Sequence, residues 1–151
     1  KTVFEDGLPP LTAEAKATYF SRRLPNAEAW MAMDWLNHNA GNTYTLYAYR
    51  VENLAYFSDG TFLGDHFGPY SYRVIEPLLY NASALFTELN KMGVMYFLYS
   101  SNNDLPTAFN NHKLFRLVWK GSHVYLYELA LGTYNWRGTN DNPRCYSHCV
   151  K

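Results

Sequence analysis

The chain has 151 residues, the usual size of one domain, and thirteen Lys and Arg balance thirteen Asp and Glu. This balance excludes the strong positive field that draws nucleic acid, so no nucleic-acid partner is predicted. Aromatic residues make up 18% and charged residues 17%, a composition typical of folded proteins, and no apolar run approaches the roughly 20 residues of a transmembrane helix. We therefore expect one soluble domain over residues 1–151.

The N-terminal part predicts an extended segment followed by two helices. Paired prolines hold residues 1–11 extended, and a tether to another segment would join here. A threonine cap and a Leu-Pro stop predict a helix over residues 12–23. Apolar side chains at spacings of three and four predict a second helix over residues 27–40, which Gly41 ends.

The middle of the chain alternates strand-type and helix-type segments. Residues 43–49 are β-branched and aromatic, which predicts a strand buried on both faces. Apolar spacing predicts a long helix from residue 82 to residue 92, capped by Gly93. Three further elements are predicted in this part: a helix at 51–57, a short strand at 61–63 and a fully buried strand at 94–99.

The C-terminal part predicts a β-hairpin and an irregular tail. A helical turn at residues 107–110 interrupts a polar loop. Residues 114–119 and 123–129 flank a Lys-Gly-Ser turn, which favours two antiparallel strands. Residues 130–151 have no period. The whole pattern predicts an α/β fold: a three-layer, open, mostly parallel, Rossmann-like sheet with helices on both faces and a C-terminal antiparallel hairpin.

Sequence motifs for common chemistries are missing. The chain contains no G-x-G-x-x-G, phosphate-binding loop, G-x-S-x-G elbow or H-E-x-x-H, so no cofactor and no catalytic residue are predicted. Cys145 and Cys149 lie four residues apart and form either one disulfide or two thiols. With His148 they give three soft ligands without the paired spacing of a zinc site, so no metal is predicted.

Position along the sheet supplies the candidate site. In open α/β sheets ligands lie outside the carboxyl ends of parallel strands. The polar residues expected there are Arg50, Glu52, Asp65, His66, Asn102 and Asp104. Three alternatives stay open for Asp65 and His66: an acid/base pair, a site that binds a cation, or an ordinary turn in which the aspartate bonds its own backbone.

Three tyrosines are expected to border the same site. Tyr56, Tyr70 and Tyr72 flank the loop over this edge of the sheet, and aromatic faces stack on sugar rings. The predicted ligand-binding residues are therefore these tyrosines together with the polar group at the strand ends.

The order of several motifs resembles the soluble C-terminal region of bacterial glycosyltransferases related to the dolichyl-phosphate-mannose protein mannosyltransferases and the aminoarabinose transferases. The similarity covers about residues 19 to 129. It lies in Tyr19-Phe20-Ser21-Arg22-Arg23-Leu24-Pro25, in Ala29-Trp30 and Trp35-Leu36-Asn37, in Leu89-Asn90-Lys91-Met92-Gly93-Val94-Met95-Tyr96-Phe97-Leu98, and in Val124-Tyr125-Leu126-Tyr127-Glu128-Leu129.

This resemblance implies an accessory, non-catalytic domain of a membrane glycosyltransferase that uses a polyprenyl-phosphate sugar. The domain would lie on the periplasmic side of the membrane, tethered to the transmembrane part of the same polypeptide. Its partners would be that part, the lipid-linked sugar donor, and an acceptor glycan or protein. Two alternatives come from the residues alone: a free-standing sugar or small-ligand binding module, and a small enzyme that uses Asp65 and His66.

Overall fold

A five-stranded mixed sheet forms the centre of the molecule. The computed structural model describes residues 27–100 and 105–130. The strands follow in chain order: β1 (Thr45–Tyr49), β2 (Thr61–Leu63), β3 (Tyr96–Ser100), β4 (Phe115–Lys120) and β5 (Val124–Leu129). Within the sheet they lie in the order β2-β1-β3-β5-β4.

Within the described ranges, one α-helix precedes these strands, and two further α-helices and three short 3-10 helices lie between them. The α-helices are α1 (Ala27–Ala40), α2 (Tyr72–Ile75) and α3 (Ala82–Lys91), and the 3-10 helices are Glu52–Phe57, Glu76–Leu78 and Thr107–Asn110. The predicted helix over residues 27–40 and the predicted turn over residues 107–110 are confirmed with the same bounds. No helix in the described ranges is long and apolar enough to cross a membrane. The predictions for residues 1–11, 12–23 and 131–151 lie outside the described residues.

The expectation of a mostly parallel, three-layer Rossmann-like sheet is wrong. β1 pairs in parallel with β2 and with β3, but β3 pairs antiparallel with β5, and β5 pairs antiparallel with β4. The antiparallel ladders are also longer, because β4 and β5 have six residues each and β2 has only three. The C-terminal hairpin therefore supplies a main part of the sheet instead of closing off a parallel one.

The two faces of the sheet carry different side chains. Because successive residues of a strand point to opposite faces, β1 sends Tyr47 and Tyr49 to one face and Leu46 and Ala48 to the other. The aliphatic face packs against α1. The aromatic face packs against α2, α3 and the 3-10 helix Thr107–Asn110. Cross-strand neighbours continue each face, as in the row Tyr47, Phe97 and Tyr127.

Phe109 fills the centre of the aromatic face. Its ring is 1% exposed and stacks on Tyr127 at a centroid distance of 4.5 Å and an interplanar angle of 9°. Phe97, Tyr99 and Phe115 surround it at 5.4 to 5.7 Å. One side chain thus joins three strands of the sheet, and we expect its packing to make a large contribution to stability.

Glu28 of α1 holds the turn between β4 and β5. Its Oε2 accepts a hydrogen bond from the backbone N–H of His123 at 2.9 Å. A Cβ at Gly121 would lie 2.7 Å from the same oxygen, so a larger residue there would displace the Glu28 carboxylate. Burial raises the pKa of Glu28, but hydrogen bonds from His123 and Ser122 lower it, and the net pKa falls below the ordinary value.

Replacing Phe109 with Ala should lower the free energy of unfolding by about 3–5 kcal/mol, because a cavity would remain at the centre of the aromatic face. Urea unfolding of both proteins measures the difference. Tyr56→Ala is the control, since Tyr56 is 94% exposed and its loss should change stability by less than about 0.5 kcal/mol. Equal effects of the two substitutions would contradict the central role of Phe109.

Replacing Glu28 with Gln should destabilise the protein at neutral pH, because the amide keeps the acceptor but loses the charge. A carboxyl with a lowered pKa contributes stability above its unfolded pKa of 4.5 and loses it as the pH falls through the folded pKa. The stability difference between the wild type and Glu28→Gln should therefore shrink below pH 4.5. Asp59→Asn, at an exposed turn, serves as the control. A difference that is independent of pH would contradict this account.

Candidate functional site

A cleft of about 430 Å³ lies at the carboxyl ends of β1 and β2. These strands are parallel neighbours, so their ends share one edge of the sheet. Arg50 directly follows β1, and His66 follows β2 by three residues. The cleft is half open to solvent, and its described lining consists of Arg50, His66, Phe67, Tyr72, Arg73 and Glu76.

Glu76 accepts two hydrogen bonds at the cleft. Its Oε1 accepts a hydrogen bond from the Tyr49 hydroxyl at 2.9 Å and from Nη2 of Arg50 at 2.5 Å. The Arg50 and Glu76 side chains are 58% and 49% exposed, so their ion pair contributes little to stability. Burial, together with the bond to Glu76, raises the pKa of Tyr49 to about 12, which keeps the hydroxyl protonated as a donor. The arrangement orients Arg50 and Glu76 more than it stabilises the fold.

The backbone of Arg50 is in the left-handed region, with φ at 61°. Within the described ranges it is the one non-glycine residue with a positive φ. A side chain in this region costs roughly 1–2 kcal/mol, and such strain concentrates at functional sites. In this conformation the Arg50 guanidinium carbon lies 5.2 Å from the centre of the Tyr49 ring.

Aromatic rings form one wall of the cleft. His66 meets Tyr72 edge-on at a centroid distance of 5.2 Å and Phe67 at 6.4 Å. Tyr72 is buried and contacts Tyr49 edge-on at 5.4 Å, which ties the wall to the core. Phe67, in contrast, is 82% exposed. A large exposed ring beside charged groups is a surface suited to stacking on a ligand.

Backbone contacts fix the loop that carries His66 and Phe67. Gly64 has φ at 105°, and a Cβ there would lie 2.4 Å from the Ala48 carbonyl oxygen, so the loop passes close to β1. The Asp65 carbonyl accepts a hydrogen bond from the Tyr72 N–H at 2.9 Å. The Tyr47 hydroxyl donates to the Tyr70 carbonyl, also at 2.9 Å. Both ends of the loop are therefore attached to the sheet or to α2.

The structure brings together three of the residues predicted from the sequence. Arg50, His66 and Tyr72 line the same cleft. Asp65 is exposed, and its Oδ1 accepts a hydrogen bond from the His66 N–H at 2.5 Å. This contact is the turn geometry that the sequence offered as an alternative to an acid/base pair. Tyr70 contributes its carbonyl to the loop contact with Tyr47.

The remaining predicted residues do not join the cleft or lie outside the described part. Tyr56 is on the 3-10 helix whose Leu54 and Phe57 pack on the α1 face, and it does not line the cleft. The backbone of Glu52 belongs to the same 3-10 helix, and its side chain is not described. Four residues lie outside the described ranges: Asn102, Asp104, Cys145 and Cys149.

Sequence reasoning missed Phe67, Arg73, Glu76 and the role of the Tyr49 hydroxyl. Tyr49 was expected in the core, and its ring is buried there. Arg73 lies in α2, a single helical turn, and Glu76 begins the 3-10 turn that follows it. An element this short has no periodicity to detect. The available signal was two charged residues, Arg73 and Glu76, four and seven residues after Pro69 of the Gly-Pro loop.

A second, larger groove of about 570 Å³ lies beside the 3-10 helix Thr107–Asn110. Its described lining consists of Thr107, Asn110, Asn111, His112 and Lys113, all of which are exposed. It lacks the aromatic wall and the ion cluster of the first cleft. Among the described residues there is also no group of three His, Cys, Asp or Glu side chains that could hold a metal ion.

Comparison with known proteins gives one match. A family model described as SF2091/S2213 matches residues 19–128, which is more than half of the chain. No curated protein and no solved structure matches the sequence. The description of the family names no activity and no ligand.

Arg50→Gly should be more stable than Arg50→Ala by about 1 kcal/mol, because glycine adopts a positive φ without strain. Position 73 is the matched control, since Arg73 lies in α2. There the order should reverse, with Arg73→Gly less stable than Arg73→Ala by up to about 1 kcal/mol. Thermal or urea unfolding of the four variants measures both differences. The same order at both positions would contradict the strained backbone of Arg50.

Proposed function

We propose that this chain, which belongs to the SF2091/S2213 family, is a binding domain for a small sugar-type ligand. The site is the cleft at the carboxyl ends of β1 and β2. One observation supports this proposal above the others: an oriented Arg–Glu pair and an exposed aromatic ring line the same cleft, on a rigid edge of the sheet.

Both parts of the cleft suit the chemistry of a sugar ring. Hydroxyl groups of a sugar both donate and accept hydrogen bonds, so they can bond to Glu76 and to Arg50. The C–H face of the ring is apolar and stacks on an exposed aromatic face such as Phe67. Because Tyr49 and the strained backbone hold the polar pair in place, little ordering is needed on binding.

The geometry favours binding over catalysis. Glu76 bonds Tyr49 and Arg50, and the Asp65 carboxylate bonds the backbone N–H of His66. Each carboxylate therefore has a positioning role. An enzyme that uses Asp65 as an acid or base requires that carboxylate to line the cleft that holds the substrate, and Asp65 is not in the described lining of this cleft.

The glycosyltransferase hypothesis remains a proposal that rests on motif order alone. No comparison links the chain to a glycosyltransferase. In that hypothesis the same cleft would contact a sugar of the donor or the acceptor beside a membrane-embedded catalytic centre. Several apolar segments of roughly 20 residues encoded upstream of Lys1 would distinguish an accessory domain from a free-standing binding module.

Titration with hexoses, neutral and acidic, should shift the backbone amide NMR signals of the residues that line the cleft. Phe67→Ala should weaken binding by about 1 kcal/mol, or roughly fivefold in Kd, because the stacking face is lost. Tyr56→Ala removes another exposed aromatic ring, outside the cleft, and should leave Kd unchanged. Shifts confined to residues 107–113, or equal effects of the two substitutions, would contradict the proposed site.

A further inference from the structure

The described lining of the cleft has more positively charged than negatively charged side chains. Among the residues that the structure describes, two guanidinium groups, Arg50 and Arg73, share the lining with one carboxylate, Glu76. Glu76 pairs with Arg50, and no carboxylate of the described residues forms an ion pair with Arg73. The described part of the cleft therefore presents one guanidinium that has no carboxylate partner, beside the aromatic wall.

The contact between Arg50 and Glu76 is also incomplete as an arginine–carboxylate pair. A guanidinium has five N–H donors in a planar fork and commonly binds a carboxylate or phosphate through two parallel hydrogen bonds. Here Nη2 alone donates, and it donates to the oxygen that also accepts from Tyr49. The two-bond edge of Arg50 is thus not used by Glu76.

Resting on the binding function above, we propose that the ligand is a sugar acid, a sugar ring that carries a carboxylate or a phosphate. Arg73 and the unused edge of Arg50 hold the acidic group, and Phe67 stacks on the ring. Glu76 is the internal counter-ion that keeps Arg50 in position before the ligand binds. In this arrangement the two arginines select for the charge of the ligand, and Phe67 contacts its ring by stacking.

Glu76 has a second effect in this arrangement. Its charge repels an incoming oxyanion, while its hydrogen bonds with Tyr49 and Arg50 hold the cleft in shape. Glu76→Gln removes the repulsion and keeps an oxygen that accepts from Tyr49. This substitution should therefore raise the affinity for an acid relative to the affinity for a neutral sugar.

Three ligands with the same ring test the inference: glucose, glucuronate and glucose 6-phosphate, each titrated into the full chain and followed by amide NMR. Charge-assisted hydrogen bonds predict that at least one acidic form binds roughly tenfold more tightly than glucose. Arg73→Gln should reduce the affinity for that acid to the level of glucose. Lys113→Gln removes a positive charge outside this cleft and is the control, and amide spectra of all variants verify their fold.

The outcomes separate the two proposals. Tighter binding of glucuronate alone identifies a carboxylate ligand, and tighter binding of glucose 6-phosphate alone identifies a phosphate ligand. If glucose binds as tightly as both acids, or if Arg73→Gln and Lys113→Gln have equal effects, the inference is wrong and the proposed sugar-binding function stands. Failure of all three to shift any cleft signal at about 10 mM overturns the binding function itself.

Discussion

The hydrogen bond from the Tyr49 hydroxyl to Glu76 connects the core of the molecule to its candidate site. Tyr49 ends β1, and its ring stacks on Tyr99 of the neighbouring strand at 5.6 Å. The sheet therefore fixes the hydroxyl, the hydroxyl fixes the carboxylate, and the carboxylate fixes Arg50. A site built on packed strand residues keeps its geometry better than one built on loops alone, because packing locks the supporting rotamers.

The division of the sheet into an aromatic and an aliphatic face explains why the site lies on one side. Rows of aromatic side chains run across β1, β3 and β5 on the face where Phe109 packs. Tyrosines in these rows have an apolar ring for the core and a hydroxyl that can reach a polar partner at the edge. Tyr47 and Tyr49 use their hydroxyls in this way, for the loop at Tyr70 and for Glu76. The aliphatic face packs on α1, and its Tyr44 hydroxyl bonds Asn37 and Ser58, which do not line the cleft.

Local patterns predicted the helix over residues 27–40, the turn over residues 107–110 and the hairpin, because each has its own period or turn chemistry. They did not predict that the hairpin would pair β5 with β3, since strand order depends on contacts between distant residues. Strand-end position correctly brought Arg50 and His66 to one edge. Glu76 could not be found in the same way, because its partner Tyr49 lies 27 residues away in the sequence.

The left-handed backbone of Arg50 and the single hydrogen bond from its guanidinium to Glu76 have a common explanation. Glycine would adopt this φ without strain, whereas an arginine there places a guanidinium at that point of the cleft. The fold offsets a local cost of roughly 1–2 kcal/mol elsewhere, and in return the long side chain is ordered before a ligand arrives. Ordering a flexible arginine on binding costs about as much. Strain in the free protein is therefore a means of placing a charge, and a charge placed next to Arg73 favours an acidic ligand over a neutral one.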